Sequence, residues 1–253
     1  MTETTTTPTE TSNEPRTTTT LFSVAELEAI ASMRHMTTMR EGEEVLEHVL
    51  LELSSSGWRA SVTDRFAVVE QSYTLDPLNR PIESPSLKVM LHRDLLETIR
   101  RTYCKGSRSS WWDTKIMFMF VEHEGEEFIR LEVTGDKAGS DMTVFVEKGD
   151  KFPAVERLFP PHGDLGEVPF MAVGMNHLQR IAKVITPEEA VLTPGKRFSG
   201  FKFRVKELGA SQMFLITKVL GNRADEARKE WGRERKFRVV LQGLTNKNLQ
   251  ESW

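Results

Sequence analysis

The sequence has a single cysteine and lacks the patterns that mark a metal or redox site. Cys104 has no second cysteine for an intrachain disulfide, and the sequence holds no His/Cys cluster with metal-ligand spacing. We therefore interpret Cys104 as an unreactive thiol near the end of a helix. The sequence predicts no metal and no other cofactor.

Long apolar runs are also missing. No segment approaches the ~18 consecutive apolar residues of a membrane-spanning helix. The N-terminus lacks the basic-then-apolar order of a signal peptide. Of the 253 residues, 38% are hydrophobic and 28% are charged, so the chain can bury one large or two modest cores. We expect a globular, cytoplasmic protein without a membrane partner.

Signs of catalysis are few. The chain has no glycine-rich motif that would cradle phosphate, and its six histidines are scattered without an associated nucleophile. Asp64 and the stretch EHEGEE at 122–127 are the best candidates for metal-binding carboxylates. A charged turn between two strands is the commoner explanation for the second of these. We expect that the protein is not an enzyme.

The first 20 residues differ in composition from the rest. Eleven of them are Thr, two are Pro, and apolar side chains are nearly absent. Such a segment has little apolar surface with which to offset the entropy of ordering. The composition predicts a disordered tail at residues 1–20.

From residue 21 the sequence repeats one order of elements, which is its most informative feature. In the first pass, Ser23 and Glu26 have capping-box spacing and open a helix after a short strand; further strands follow. A second pass begins at SLKVMLHRDLLETIRRTYC and a third at PFMAVGMNHLQRIAKVITPEE. Three βαβββ-like units predict an α+β fold with helices on one face of antiparallel sheets. We place two units in a first domain, 21–162, and one in a second, 163–253.

Basic residues occupy outward positions of the predicted helices, although the formal net charge of the chain is -3. Charge segregated to one surface suits contact with phosphates without reading of bases. Ordinary solvated helix faces explain the same pattern about equally well. The basic residues in question are Arg34, Arg40, Arg93, Arg100, Arg101, Lys105, Arg108, Arg180 and Lys183.

Two short motifs carry a family resemblance. The first is VLEHVLLEL followed by RASVTDRFAVV, and the second is GDKFPAVERLFPP at 149–161, whose Gly and Phe-Pro predict a linker that leaves a domain. Their order, their separation and their fit to the repeated units resemble the bacterial-type sliding clamp, the beta subunit of DNA polymerase III. Residues 21–162 resemble the middle domain of that clamp, and residues 166–245 resemble half of the next.

The resemblance implies a ring with helices lining its inner surface and sheets forming its outer wall. The nine basic residues would then face duplex DNA without sequence preference. DNA polymerase and clamp loader would bind through short peptide motifs in a hydrophobic pocket. Without the resemblance, plain core packing explains Leu46, Val68 and Leu158 about equally well. Carried over by position, the pocket residues are Leu46, Thr63, Arg65, Phe66, Val68, Pro153, Arg157 and Leu158.

The departures from the family leave several alternatives open. A clamp subunit has three complete domains, whereas this chain has about three half-domain units, so a ring of two, three or four subunits remains open. The family's C-terminal ending is replaced by QGLTNKNLQESW, so the pocket is altered or another subunit completes it. The small size leads us to expect a diverged clamp from a phage or mobile element.

Two other functions compete with the ring. A clamp-like interaction protein, a decoy or adaptor, would bind replication factors without encircling DNA, and a plain scaffold would bind linear and circular DNA alike. The segment KFRVVLQGL has few of the charges or prolines that protect an edge strand. We therefore predict that this strand pairs with another subunit.

Overall fold

The computed structural model describes eleven segments: residues 15–39, 41–55, 57–74, 87–104, 114–123, 125–135, 140–159, 175–192, 200–208, 211–219 and 234–242. The first unit contains β1 (Arg16–Ser23), α1 (Val24–Ser32), β2 (His48–Ser54), β3 (Gly57–Thr63) and β4 (Ala67–Thr74). The second contains β5 (Leu87–His92), α2 (Arg93–Tyr103), β6 (Lys115–Glu122), β7 (Phe128–Thr134) and β8 (Met142–Lys148). The third contains α3 (Met175–Leu192), β9 (Gly200–Leu208), β10 (Ser211–Val219) and β11 (Glu234–Gln242).

The described strands form one 11-stranded sheet in the order β1-β6-β7-β8-β5-β2-β3-β4-β11-β10-β9. Every neighbouring pair is antiparallel. The first two units exchange their leading strands, because β1 pairs with β6 of the second unit and β5 pairs with β2 of the first. The predicted α+β fold with repeated units is confirmed.

The predicted tail ends earlier than its composition indicated. Residues 16–20 lie in β1, where each residue faces a partner in β6, from Arg16↔Glu122 to Ser23↔Lys115. Threonine is β-branched and fits a strand well. The backbone hydrogen bonds to β6 and the burial of Phe22 offset the entropy cost of ordering this segment. The composition of residues 1–20 gave no sign of these contacts. Residues 1–14 of the predicted tail lie outside the described residues.

The prediction for the final strand was wrong. The segment KFRVVLQGL lies largely in β11, which pairs with β10 on one side and with β4 on the other. Its lack of edge protection reflects an interior position in the sheet. Among the described strands, β1 and β9 are the two edges.

The main core lies between the helices and one face of the sheet. The predicted capping box is present, since the Glu26 backbone N–H donates to Ser23 Oγ and the Glu26 carboxylate accepts from the Ser23 backbone N–H. All nine residues of α1 are buried, and α1 packs against both α2 and α3. The Ser32 hydroxyl donates to the Val184 carbonyl of α3 at 3.0 Å. No described helix has the length and apolarity to cross a membrane.

A second, smaller apolar cluster lies on the opposite face of the sheet. Its floor is formed by one residue from each of three strands: Leu50 of β2, Val68 of β4 and Met90 of β5. The segment 149–159 covers this floor with Phe152 and Val155. The covering segment approaches the sheet closely at Gly149, where an added Cβ would lie 2.6 Å from the Lys88 Cβ. Only glycine fits there without displacing a neighbour. We call these five apolar residues the outer cluster.

Candidate functional site

Helix α2 presents one apolar and one charged face. Leu96, Ile99 and Tyr103 enter the core. On the other side, the Arg101 side chain is 76% exposed, and its Nε lies 2.6 Å from the Glu97 carboxylate one turn earlier. The Arg101 side chain is more exposed to solvent than those of Arg34, Arg93, Arg100 and Arg180.

Two other predicted DNA-facing arginines join the helices to each other. The Arg34 Nε lies 2.8 Å from Glu97 of α2, and its side chain is 14% exposed. The Arg100 Nε donates to Glu28 of α1 at 3.1 Å. Burial lowers the pKa of Arg34, whereas the hydrogen bond to Glu28 raises the pKa of Arg100. These side chains therefore hold α1 and α2 together, and their contact with DNA stays a prediction.

Several positive charges converge on His35, just after α1. Burial, followed by the charges of Arg34, Lys183 and Arg100, lowers the pKa of His35 to about 4. The imidazole is thus neutral at pH 7 in a positive local field. Such a field is what attraction of phosphate requires. The sequence pattern did not single out this histidine, because its neighbours in space come from three helical segments.

The remaining predicted DNA-facing residues divide into three groups. Arg93 is partly exposed and Lys183 is exposed. Arg180 is directed inward, with its Nη1 2.5 Å from Asp64 and further donors bonded to the carbonyls of His35 and Thr37. Outside the described residues lie Arg40, Lys105 and Arg108.

A tight turn at residues 63–67 lies beside the outer cluster. The Asp64 Oδ1 accepts from the backbone N–H groups of Phe66 at 3.1 Å and Ala67 at 2.8 Å. The Thr63 hydroxyl donates to the Ala67 carbonyl at 2.9 Å. Arg65 has a φ of 78°, the left-handed region. These bonds leave the side chains of Arg65 and Phe66 exposed.

Asp64 is used to build this turn, since it is 3% exposed and accepts bonds through both oxygens. No group of three or more His, Cys, Asp or Glu side chains within the described residues is arranged to hold a metal ion.

Burial raises the pKa of the Cys104 thiol well above its ordinary value. A thiol that stays protonated is a poor nucleophile.

The eight predicted pocket residues form a buried group and an exposed group. Leu46, Thr63 and Val68 are buried, and Val68 belongs to the outer cluster. The exposed group comprises Arg65, Phe66, Pro153, Arg157 and Leu158. The exposed fractions of Phe66 and Leu158 are both 45%. Chain connectivity links these exposed residues to the outer cluster: Val68 follows Phe66 by two residues, and Val155 precedes Leu158 by three.

Four outer-cluster residues were missed by the sequence analysis: Leu50, Met90, Phe152 and Val155. A signal for the strand residues exists in HVLLEL and LKVML, where apolar residues run without alternation. Continuous apolar runs indicate strands that are covered on both faces.

A separate cavity of about 530 Å³ lies beside the start of α1. It is lined by Leu21, Trp58, Tyr73 and Lys115, among others, and by none of the eight predicted pocket residues. The cavity and the outer cluster are therefore distinct features of the molecule.

No protein-family model matches this sequence. No curated protein matches it significantly either. The structure is similar to the beta sliding clamp of C. crescentus, with a TM-score of 0.44 and 14% identity over 90% of this chain and 65% of that chain. It is also similar to the DNA polymerase III subunit beta of Pseudomonas aeruginosa, with a TM-score of 0.44 and 16% identity over 95% and 69% of the two chains.

Proposed function

We propose that this chain is a subunit of a DNA sliding clamp that encircles duplex DNA and tethers replication proteins. The observation that carries the proposal is the continuous antiparallel sheet, with helices on one face and an exchange of leading strands between the first two units. Together with the two motifs described above, this architecture suits an arc of a ring with an inner helical face and an outer sheet face.

The ring closes, on this proposal, by pairing the edges of the sheet between copies of the chain. Strands β1 and β9 end the described sheet, and they are eight and nine residues long. Long edges with unpaired backbone groups are templates for pairing with another chain. The number of subunits, two, three or four, is left open by this arrangement.

Duplex DNA lies against the helical face in this proposal. Arg93, Arg101 and Lys183 contact phosphates directly, whereas Arg34 and Arg100 contribute to the positive field from within their ion pairs. Phosphate contacts of this kind carry no sequence information. A ring that cannot dissociate needs no tighter contact, so each residue alone contributes little.

A partner peptide binds on the opposite face, over the outer cluster. The exposed side chains of Phe66 and Leu158 are the proposed apolar anchor site, because they lie two and three residues along the chain from Val68 and Val155 of the outer cluster. Arg157 is exposed and adds positive charge at the rim, and Arg65 is also exposed there, in an ion pair with Glu43. This chemistry fits a short linear peptide with an apolar anchor and an acidic residue near it. DNA polymerase and the clamp loader are the proposed sources of such peptides.

The peptide site is tested by comparing alanine substitutions at two exposed phenylalanines. We expect Phe66→Ala to weaken binding of a labelled peptide of this composition about tenfold or more, because an aromatic anchor is lost. Phe145→Ala is the matched control, since Phe145 is 70% exposed and lies on β8, outside both the turn at residues 63–67 and the covering segment 149–159. Fluorescence anisotropy measures both affinities.

Equal weakening by the two variants, or no binding to the wild-type protein, would contradict the peptide site. A clamp-like adaptor remains the second candidate, because the same outer cluster would serve it. It differs from the clamp in having no closed ring.

A further inference from the structure

One guanidinium group connects the third unit to the turn that carries Phe66. Arg180 lies on α3, and its Nη1 is 2.5 Å from the Asp64 Oδ2. Its Nε donates to the His35 carbonyl at 2.8 Å, and its Nη2 donates to the Thr37 carbonyl at 2.9 Å. Arg180 therefore fixes three segments that are far apart in the sequence.

Asp64 is the other half of this connection. Its two oxygens have different partners: Oδ1 holds the backbone of the turn at Phe66 and Ala67, and Oδ2 receives Arg180. The Asp64 side chain is 3% exposed and the Arg180 side chain is 28% exposed, so the carboxylate end of the pair is shielded from solvent. Loss of one partner from such a pair leaves an uncompensated buried charge and disturbs the geometry that it maintained.

Helix α3 also contacts the turn through an aromatic pair. The His177 ring lies 5.8 Å from the Phe66 ring, measured between centroids, with an interplanar angle of 55°. The His177 Nδ1 lies 3.4 Å from the Asp64 Oδ2. Two side chains one helical turn apart on α3 thus bracket the turn, one at the Asp64 carboxylate and the other at the exposed phenylalanine.

We propose that Arg180 is a positioning residue for the peptide site, so that the third unit completes a site carried mainly by the first. This inference rests on the proposed peptide site. Arg180 holds Asp64, Asp64 holds the backbone of residues 66 and 67, and this backbone sets the direction of the Phe66 ring. By linkage, a peptide that binds Phe66 in this orientation stabilises the docking of α3 to the same extent that docked α3 favours the peptide.

The test compares Arg180→Gln with Ser32→Ala in the full chain. The Ser32 hydroxyl also binds α3, at the Val184 carbonyl, and its other acceptor among the described residues is the Ala29 carbonyl of α1 rather than the turn. We expect both variants to lower the melting temperature. Only Arg180→Gln should lower the affinity for the labelled peptide, by about fivefold, because only this substitution releases the turn at residues 63–67. Peptide affinities are measured well below both melting temperatures.

A second readout does not need a peptide. Hydrogen exchange at the amides of Phe66 and Ala67 should accelerate about tenfold or more in Arg180→Gln and stay unchanged in Ser32→Ala. The double variant Asp64→Asn/Arg180→Gln should bind the peptide only slightly more weakly than either single variant. Both substitutions remove the same ion pair, between Arg180 and Asp64.

The outcomes separate the inference from the proposed function. If the wild-type protein binds no peptide, the proposed site fails, and hydrogen exchange still decides whether Arg180 positions the turn. Unchanged peptide affinity in Arg180→Gln, or equal exchange at the two amides in both variants, would overturn the inference and leave Arg180 with a structural role only.

Discussion

Helices α1 and α2 follow the leading strands of two successive units, yet their surroundings differ. Helix α1 packs against both α2 and α3, and all its residues are buried. Its polar side chains bind other parts of the protein; for example, the Glu28 carboxylate accepts a hydrogen bond from Arg100. Helix α2 is covered on one side only and exposes Arg101 on the other. Equivalent helices of a repeat thus have different roles, because the third unit covers only one of them.

The largest contrast should appear when a carboxylate is removed from each helix. The Glu26 carboxylate accepts from the Ser23 backbone N–H at 2.7 Å and from the Trp58 indole at 3.1 Å, both in buried positions. We expect Glu26→Ala to lower the free energy of unfolding by about 3 kcal/mol, from a lost cap and the lost hydrogen bond to the Trp58 indole. For Glu97→Ala of α2 we expect about 1 kcal/mol or less, since the Glu97 ion pairs are partly exposed.

Urea unfolding of both variants measures this difference. Similar losses for Glu26→Ala and Glu97→Ala would show that α1 is no more integrated into the core than α2, which would contradict the comparison.

An intermediate effect is expected from pH at the end of α1. The pKa of His35 is about 4 in the folded protein, below its ordinary value of 6.5, so the unfolded chain binds more protons between these values. The free energy of unfolding should therefore fall as the pH is lowered from 7 to 5. With an allowance for solvent screening, we expect His35 to account for about 1 kcal/mol of this fall.

The control for this effect is His35→Gln, which removes the titrating group. Denaturant unfolding at both pH values should show a smaller fall in the variant. A fall of the same size would mean that burial and the nearby positive charges do not suppress the protonation of His35.

The smallest effect concerns DNA. We expect Arg101→Gln to weaken binding to duplex DNA about two- to threefold and to reduce the salt dependence of binding, because one exposed phosphate contact is lost. Arg34→Gln, the matched variant after α1, should leave the salt dependence unchanged, since Arg34 is 14% exposed whereas Arg101, paired with the same carboxylate, is 76% exposed. A larger loss of salt dependence in Arg34→Gln than in Arg101→Gln would reverse the roles assigned to the two arginines.

Local patterns predicted much of the fold. The capping box at Ser23 and Glu26 and the apolar spacing of α2 were sufficient to place two helices, and the repeated order of elements gave the α+β class. The assignment of residues 16–20 to a tail failed because β1 is stabilised by β6, about one hundred residues later, and composition carries no information about that partner.

The candidate sites were harder to predict for the same reason. An arginine on a helix looks solvent-exposed when only the charge pattern is known, but Arg180 finds acceptors on His35, Thr37 and Asp64 in another unit. The Phe-Pro of the linker motif lies in the segment that covers the outer cluster, and the predicted exit from a domain stays a prediction. Its burial of Phe152 on the sheet depends on Leu50 and Met90, which belong to strands of different units.

The most direct test of the clamp proposal is the native mass of the purified full chain, measured by light scattering at micromolar concentration and moderate salt. The proposal predicts one discrete closed oligomer, a dimer, trimer or tetramer, whose mass does not grow with concentration. A strict monomer across the same range would contradict the self-closing ring and favour the clamp-like adaptor.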